Sequence, residues 1–145
     1  LKGGKQYLRI LSMDVGDKRI GMAISDALGW TAQGIDTLVR RDNKHDFEYI
    51  QEILGRYQPE KIVIGLPKNM NGSIGPQGEK VKAFADILKD YYNGEIVFWD
   101  ERLTTVSAHK VLIEADMSRK KRKQKVDQMA AVFILQSYLD YINQK

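Results

Sequence analysis

The chain contains no cysteine, which excludes disulfides, thiolate metal sites and thiol nucleophiles together. No apolar run approaches the roughly 20 residues needed to cross a bilayer, so no membrane partner is expected. The opening residues Leu1-Lys2-Gly3-Gly4-Lys5-Gln6 carry no signal-like hydrophobic region, which makes a cytoplasmic location the default expectation. Internal repeats and low-complexity linkers are also lacking. The 145 residues are therefore expected to form one domain over 1–145, with 1–7 as a disordered tail. A domain of that size buries roughly two-thirds of its unfolded surface. What is present is ordinary for a globular protein: 43% hydrophobic and 29% charged residues. The net charge of +4 permits a nucleic-acid partner without demanding one.

The stretch Arg9 to Asp26, RILSMDVGDKRIGMAISD, organises the rest. Leu8, Ile10, Leu11 and Met13 make an apolar run too short for a helix, and Asp14 closes it. Val15-Gly16-Asp17-Lys18 supplies turn chemistry, with Gly16 free to take positive φ. From Arg19 to Ser25 the pattern alternates, Ile20, Met22 and Ile24 on one face and Gly21, Ala23 and Ser25 on the other. A carboxylate ending a buried strand is costly unless a cation meets it. Asp14 is either met by a divalent metal or is simply a turn-starting aspartate.

Trp30–Val39 reads as a third strand, completing an antiparallel meander. A helix over Asp46–Tyr57 follows from the stripe Phe47, Ile50, Ile53, Leu54 and Tyr57, and Pro59 stops it. Lys61–Gly65 is continuously apolar, as expected of a parallel strand covered on both faces. A loop over Leu66–Gly78 leads to a second helix, about Glu79–Tyr92, ended by Asn93-Gly94. Glu95–Trp99 is another buried strand, followed by Asp100-Glu101. Thr104 or Thr105 caps a helix to about Asp116, Met117–Lys125 forms a polar basic connection, and a last helix spans about Val126–Ile142. The order βββ-α-β-α-β-α-α describes an α/β fold, a mixed five-stranded sheet of a three-strand meander plus two parallel strands flanked by helices.

In open sheets, sites form at the carboxyl ends of parallel strands. Here those ends carry Asp14, the Gly65-Leu66-Pro67 loop, and Asp100-Glu101. Asp127 lies in the first turn of the last helix, where it either joins these acids or only complements the helix dipole. Three carboxylates within about 5 Å of one another repel by roughly 3 kcal/mol per pair at an effective dielectric of 20. A cation or a proton must relieve that. All-oxygen ligands with open positions suit Mg²⁺ or Mn²⁺, and two such ions suit phosphodiester hydrolysis. No histidine is required, and His45 and His109 fit surface positions on helical segments.

Arg119, Lys120, Lys121, Arg122, Lys123 and Lys125 place six cations in seven residues just before Asp127. They either hold a polyanion over the acids or form a solvated loop. Lys68 to Pro76 offers polar amides, Asn71 among them, at a strand end; it lacks the Gly-Lys-Ser/Thr of a P-loop. This segment either contacts phosphate or is a structured crossover.

Four motifs, in this order, carry a resemblance: Asp14-Val15-Gly16 with Lys18-Arg19 and Gly21; Gly65-Leu66-Pro67 with Met70-Asn71-Gly72 and Gly75-Pro76; Asp100-Glu101-Arg102-Leu103-Thr104-Thr105; and Asp127-Gln128-Met129-Ala130-Ala131 with Ile134-Leu135-Gln136. Over roughly Arg9–Ile142 the chain resembles the YqgF (RuvX) family. That resemblance implies a ribonuclease-H-like fold related to the RuvC resolvase. It also implies a nuclease that matures the 5′ end of pre-16S rRNA, or one that resolves Holliday junctions. On the resemblance, Asp14 is the first-strand acid, Asp127 the final-helix acid, and the middle acid lies in Asp100-Glu101. Strand alternation turns one of that pair inward, Glu101 being the first choice and Asp100 the second.

The leading expectation is thus a nuclease with Asp14, Glu101 and Asp127 holding the metal ions. Lys18, Arg19, Lys68, Asn71, Arg102 and the basic run would hold substrate. Its partner would be pre-rRNA or branched DNA, and the protein would act as a monomer or weak homodimer. An actin-like phosphate-transfer ATPase also opens with Asp-x-Gly, but needs two lobes where 145 residues supply one. A binding module without catalysis gains nothing from carboxylates facing phosphate.

Overall fold

The computed structural model describes residues 9–104 and 119–144, with the backbone alone over 119–127. Five strands form one mixed sheet in the order β3-β2-β1-β4-β5. The meander is β1 (Ile10–Val15), β2 (Arg19–Ser25) and β3 (Ala32–Val39), paired antiparallel. β4 (Lys61–Leu66) runs parallel to β1, and β5 (Glu95–Asp100) parallel to β4. The alternation in β1 and β2 builds two cores. Leu11, Met13, Val15, Ile20, Met22 and Ile24 face α1 (Asn43–Tyr57) and α2 (Pro76–Leu88), packing with Phe47, Ile50, Val81 and Phe84. Ile10, Ala23 and Val63 face α3 (Arg119–Asn143), packing with Ala130, Ala131, Ile134 and Leu135. β4 is covered on both faces, which explains its continuous apolar run.

Helix boundaries depart from the hydrophobic period where caps decide them. α1 begins three residues before the expected Asp46, because the Asp42 side chain accepts from the His45 N–H at 2.8 Å and so sets the N-terminus. α2 starts with Pro76 at its first position and ends at Leu88, one turn ahead of the expected Asn93-Gly94 stop. Tyr91 and Tyr92 lie beyond it, Tyr91 stacking on Phe47 at 4.9 Å and the Tyr92 hydroxyl donating to Pro59 O at 2.8 Å.

The polar connection expected over Met117–Lys125 is corrected from Arg119 onward, where the chain is already helical. Lys, Arg and Gln are good helix formers, and residues 119–125 contain no Gly or Pro, so the lack of an apolar period does not break the helix. The expected tail over 1–7, the helix to Asp116 and His109 fall outside the described residues. Among the described residues, no helix is long and apolar enough to cross a membrane.

Candidate active site

The rim is built by strand register. Met13 pairs with Ile64 and Gly65 with Trp99, which sets Asp14 beside Gly65 and brings the carboxyl ends of β1, β4 and β5 together. Ser12 faces α3, its hydroxyl donating to Ala131 O at 2.7 Å, so Asp14 two residues on shares that face. Gly65 faces the same way. A Cβ there would lie 2.5 Å from Ile134 Cδ1, 2.9 Å from Glu101 Oε2 and 3.2 Å from Glu101 Cγ. Glu101 therefore lays its carboxylate across the end of β4, in the space left by a missing side chain. Asp14 and Glu101, both half-buried, occupy the α3 side of the same rim.

Asp100 has a different job. It caps the 3₁₀ turn Glu101–Leu103, accepting from the Arg102 N–H at 2.9 Å, and its two oxygens take the Arg102 guanidinium through Nε at 3.1 Å and Nη2 at 2.7 Å. The Arg102 hydrogen bonds hold the Asp100 carboxyl below the usual carboxylate range. Burial opposes the shift, and the Lys68 charge adds to it.

α3 runs antiparallel to β1. Tyr138 accepts from Lys61 Nζ at 2.6 Å at the start of β4, whereas Ala131 meets Ser12 nearer the strand ends. Asp127 precedes Ala131 by one turn, roughly 6 Å along the helix. Asp14 lies two residues, roughly 6.6 Å, beyond Ser12. The backbone of Asp127 thus reaches the rim that carries Asp14. Among the described residues no group of three acids and histidines forms a metal cluster, and the Asp127 side chain lies outside that description.

The expected substrate-binding residues divide. Lys68 is half-buried at the rim, and Lys18 is exposed on the β1–β2 turn with its carbonyl accepting from Arg40 N at 2.8 Å. Arg19 opens β2. Asn71 Oδ1 accepts from Ser73 N at 3.0 Å and Ser73 Oγ at 2.6 Å, so it builds its own loop. Arg119 to Lys123 lie in the first turns of α3, beyond Asp127.

Two features escaped the sequence reading. Asp46 is 1% exposed and accepts from Arg41 N at 2.9 Å and Arg40 Nε at 3.4 Å, with His45 Nδ1 3.0 Å away. Arg40 in turn donates to Gly16 O at 2.9 Å, bracing the turn that follows Asp14. Nothing in the local sequence marks that carboxylate as buried. The second is the room that Gly65 leaves for the Glu101 carboxylate; the sequence placed Gly65 at a strand end without marking that use.

An all-oxygen donor set at such a rim fits a hard divalent ion, and the space over Gly65 is what admits the second carboxylate. The sheet order, the leading meander and the helices on both faces define a ribonuclease-H-like protein. A family model described as RuvX, Holliday junction resolvase, matches residues 8–141, and the chain belongs to that family. A Clostridium tetani protein named "Putative pre-16S rRNA nuclease" is 59% identical over 95% of this chain and 100% of its own length. A Thermoanaerobacter pseudethanolicus protein of the same name is 57% identical over 92% and 96%. In fold, the chain is similar to Thermus thermophilus RuvC solved with a Holliday junction, with a TM-score of 0.61, 12% identity, and coverage of 94% of this chain and 96% of that one. The fowlpox virus Holliday junction resolvase superposes with a TM-score of 0.52 at 20% identity, over 95% and 100% of the two chains. Kinship in sequence is therefore with the pre-16S rRNA nuclease relatives; with the resolvases the likeness is one of fold.

Proposed function

We propose that this protein is a metal-dependent nuclease that hydrolyses phosphodiester bonds in structured RNA, processing the 5′ end of pre-16S rRNA in the cytoplasm. The observation that supports the reading best is the Glu101 carboxylate laid over Gly65 beside Asp14, on the sheet face that α3 covers. Asp14, Glu101 and Asp127 would hold Mg²⁺ or Mn²⁺, two ions in the full site. When bound, such ions supply an activated water and stabilise the leaving oxygen of a phosphodiester.

The chain's own residues supply position and charge. Asp14 at the end of β1 and Glu101 over β4, joined by Asp127 from α3, would make a concentrated negative locus, which the substrate backbone cannot approach unless cations offset it. Lys68 at the rim and the basic start of α3 draw the polyanion toward that locus. Asp100, tied to Arg102, supports the neighbouring Glu101.

A second reading, resolution of four-way DNA junctions, is favoured by the fold shared with a junction-bound RuvC. It uses the same acids and calls for a two-fold dimer, whereas RNA processing is compatible with a monomer. The test is cleavage of a precursor 16S leader RNA and a four-way DNA junction, side by side, in Mg²⁺ and in Mn²⁺. Site-specific cleavage of the RNA with the junction intact supports the proposal. The reverse result transfers the assignment to the resolvase reading, and cleavage of neither rejects both.

A further inference from the structure

Arg102 has the composition of a phosphate contact and the geometry of something else. Its side chain is 41% exposed, yet all three guanidinium nitrogens are engaged by protein groups. Nε and Nη2 hold Asp100, and Nη1 donates to Met70 O at 3.2 Å and Asn69 O at 3.4 Å. This is a planar fork used from both ends, which distinguishes it from an ordinary surface ion pair. It joins the end of β5 to the loop between β4 and α2, 33 residues away in sequence.

That loop is ordered from within as well. Asn69 N donates to Ser73 O and Gly72 N to Asn69 O, each at 2.9 Å, and the Asn69 amide donates to Ser73 Oγ at 2.9 Å. Gly72 takes φ 88, the left-handed region that closes the turn. At the tip, Met70 is 98% exposed, so no apolar packing secures the loop there. The Arg102 bridge reaches the tip's carbonyls instead. Glu101 lies between Asp100 and Arg102, and its own carbonyl accepts from Thr104 N at 3.1 Å and Thr104 Oγ1 at 2.9 Å. The backbone that aims the Glu101 carboxylate is tethered on both sides.

We propose that Arg102 is a positioning residue: it clamps the β4–α2 loop to the end of β5 through Asp100 and the Asn69 and Met70 carbonyls, and so fixes Glu101 over Gly65. The inference deepens the nuclease reading and rests on it for the role of Glu101. The clamp itself is independent of catalysis.

The experiment compares Arg102→Gln and Arg102→Lys in three measurements. Amide hydrogen exchange at Asn69 and Gly72 reads the clamp without any substrate, and it should accelerate in Arg102→Gln and Arg102→Lys alike. Cleavage of the leader RNA should lose kcat by about 10- to 100-fold, the scale of a displacement of up to 1 Å, with KM little changed. Arg102→Lys should not rescue, because the charge returns without the fork. Binding of the same RNA, on an Asp14→Asn background, should keep its salt dependence. A phosphate contact would instead raise KM, lower the slope of log K against log salt by about 0.7–0.9, and be rescued by lysine. That pattern, or unaltered exchange at Asn69 and Gly72, overturns the proposal. Faster exchange in the Arg102 variants, with a wild-type protein that cleaves neither RNA nor junction, would uphold the clamp and reject the nuclease reading.

Discussion

Replacing Gly65 with alanine probes the site at its tightest point. The added methyl would stand 2.5 Å from Ile134 Cδ1 and 2.9 Å from Glu101 Oε2, where ordinary contact begins at 3.4 Å. Ile134 must yield by about 0.9 Å and Glu101 by about 0.5 Å; both contacts are with the ends of side chains, so the fold can adjust by rotation. Overpacking of this kind costs about 1–3 kcal/mol. In a domain of this size that corresponds to a melting temperature lower by about 3–10 °C. The Glu101 carboxylate has no such latitude, because a displacement approaching 1 Å at a reacting centre costs about 100-fold in rate. Gly65→Ala should therefore remain folded while losing most metal-dependent cleavage, with half-saturation by Mg²⁺ moved to higher concentration. Adding Ile134→Val removes the offending Cδ1 and separates the two effects. The double variant should regain stability beyond the sum of its singles and stay inactive. Wild-type cleavage and an unchanged Mg²⁺ profile in Gly65→Ala would refute the placement of Glu101 in the reaction.

Asp14→Asn should abolish cleavage of the leader RNA and leave the melting temperature unchanged or raised, since it relieves repulsion at the rim; retained wild-type cleavage rejects the metal assignment. Converting Arg119, Lys120, Lys121, Arg122 and Lys123 to Gln keeps helix propensity. It should weaken RNA binding and flatten its salt dependence by about 2, because successive helical positions differ by about 100° and roughly half share one side; an unaltered slope makes that segment a bystander. Asp46→Asn should lose about 1–3 kcal/mol at pH 7, measured by urea unfolding. Burial alone would raise the Asp46 pKa, but hydrogen bonds from Arg41 N, His45 and Arg40 outweigh it and the folded value is lowered. A depressed folded value stabilises above the unfolded pKa near 3.9 and is lost as pH falls through the folded value. Wild-type stability should consequently drop more steeply than that of Asp46→Asn below about pH 4, and parallel profiles would contradict this account.

Most of the sheet was legible because strand periodicity is a direct imprint of burial; β5, expected as a buried strand, is instead a sheet edge with no buried residue, and Phe98 is 37% exposed. Arg19–Ser25 alternates and is β2 to the residue, with Ile20, Met22 and Ile24 in one core and Ala23 in the other. The continuous run at Lys61 marked a strand covered twice, and β4 is one. Helix ends were less legible, because they depend on single caps such as Asp42 and Pro76 rather than on a repeating stripe. The basic start of α3 went unseen for the opposite reason: propensity carries a helix through a stretch of sequence with no apolar period. At the site, parallel pairing is what brings the ends of β1, β4 and β5, and with them Asp14 and Glu101, to one rim. What sequence spacing could not convey was the division of labour within Asp100-Glu101-Arg102, since neighbouring residues in a 3₁₀ turn leave in different directions and their partners lie 32 to 36 positions away.

Small residues, more than acids, explain why the rim can exist. α3 settles on two glycines, Gly65 of β4 beneath Ile134 and Gly34 of β3, where a Cβ would come within 2.5 Å of Gln128 Cγ. Between them the fully buried Ala130 and Ala131 meet the sheet, and Ser12 spends its hydroxyl on Ala131 O. A larger side chain at any of these positions would lift the helix and carry Asp127 away from Asp14. The same close approach fixes where the helix goes next. From Asp127 back to Arg119 is eight residues, about 12 Å of helix beyond the acids. The basic segment is thus carried on a helix whose backbone leads outward from the rim, rather than on a loop that could fold back over it.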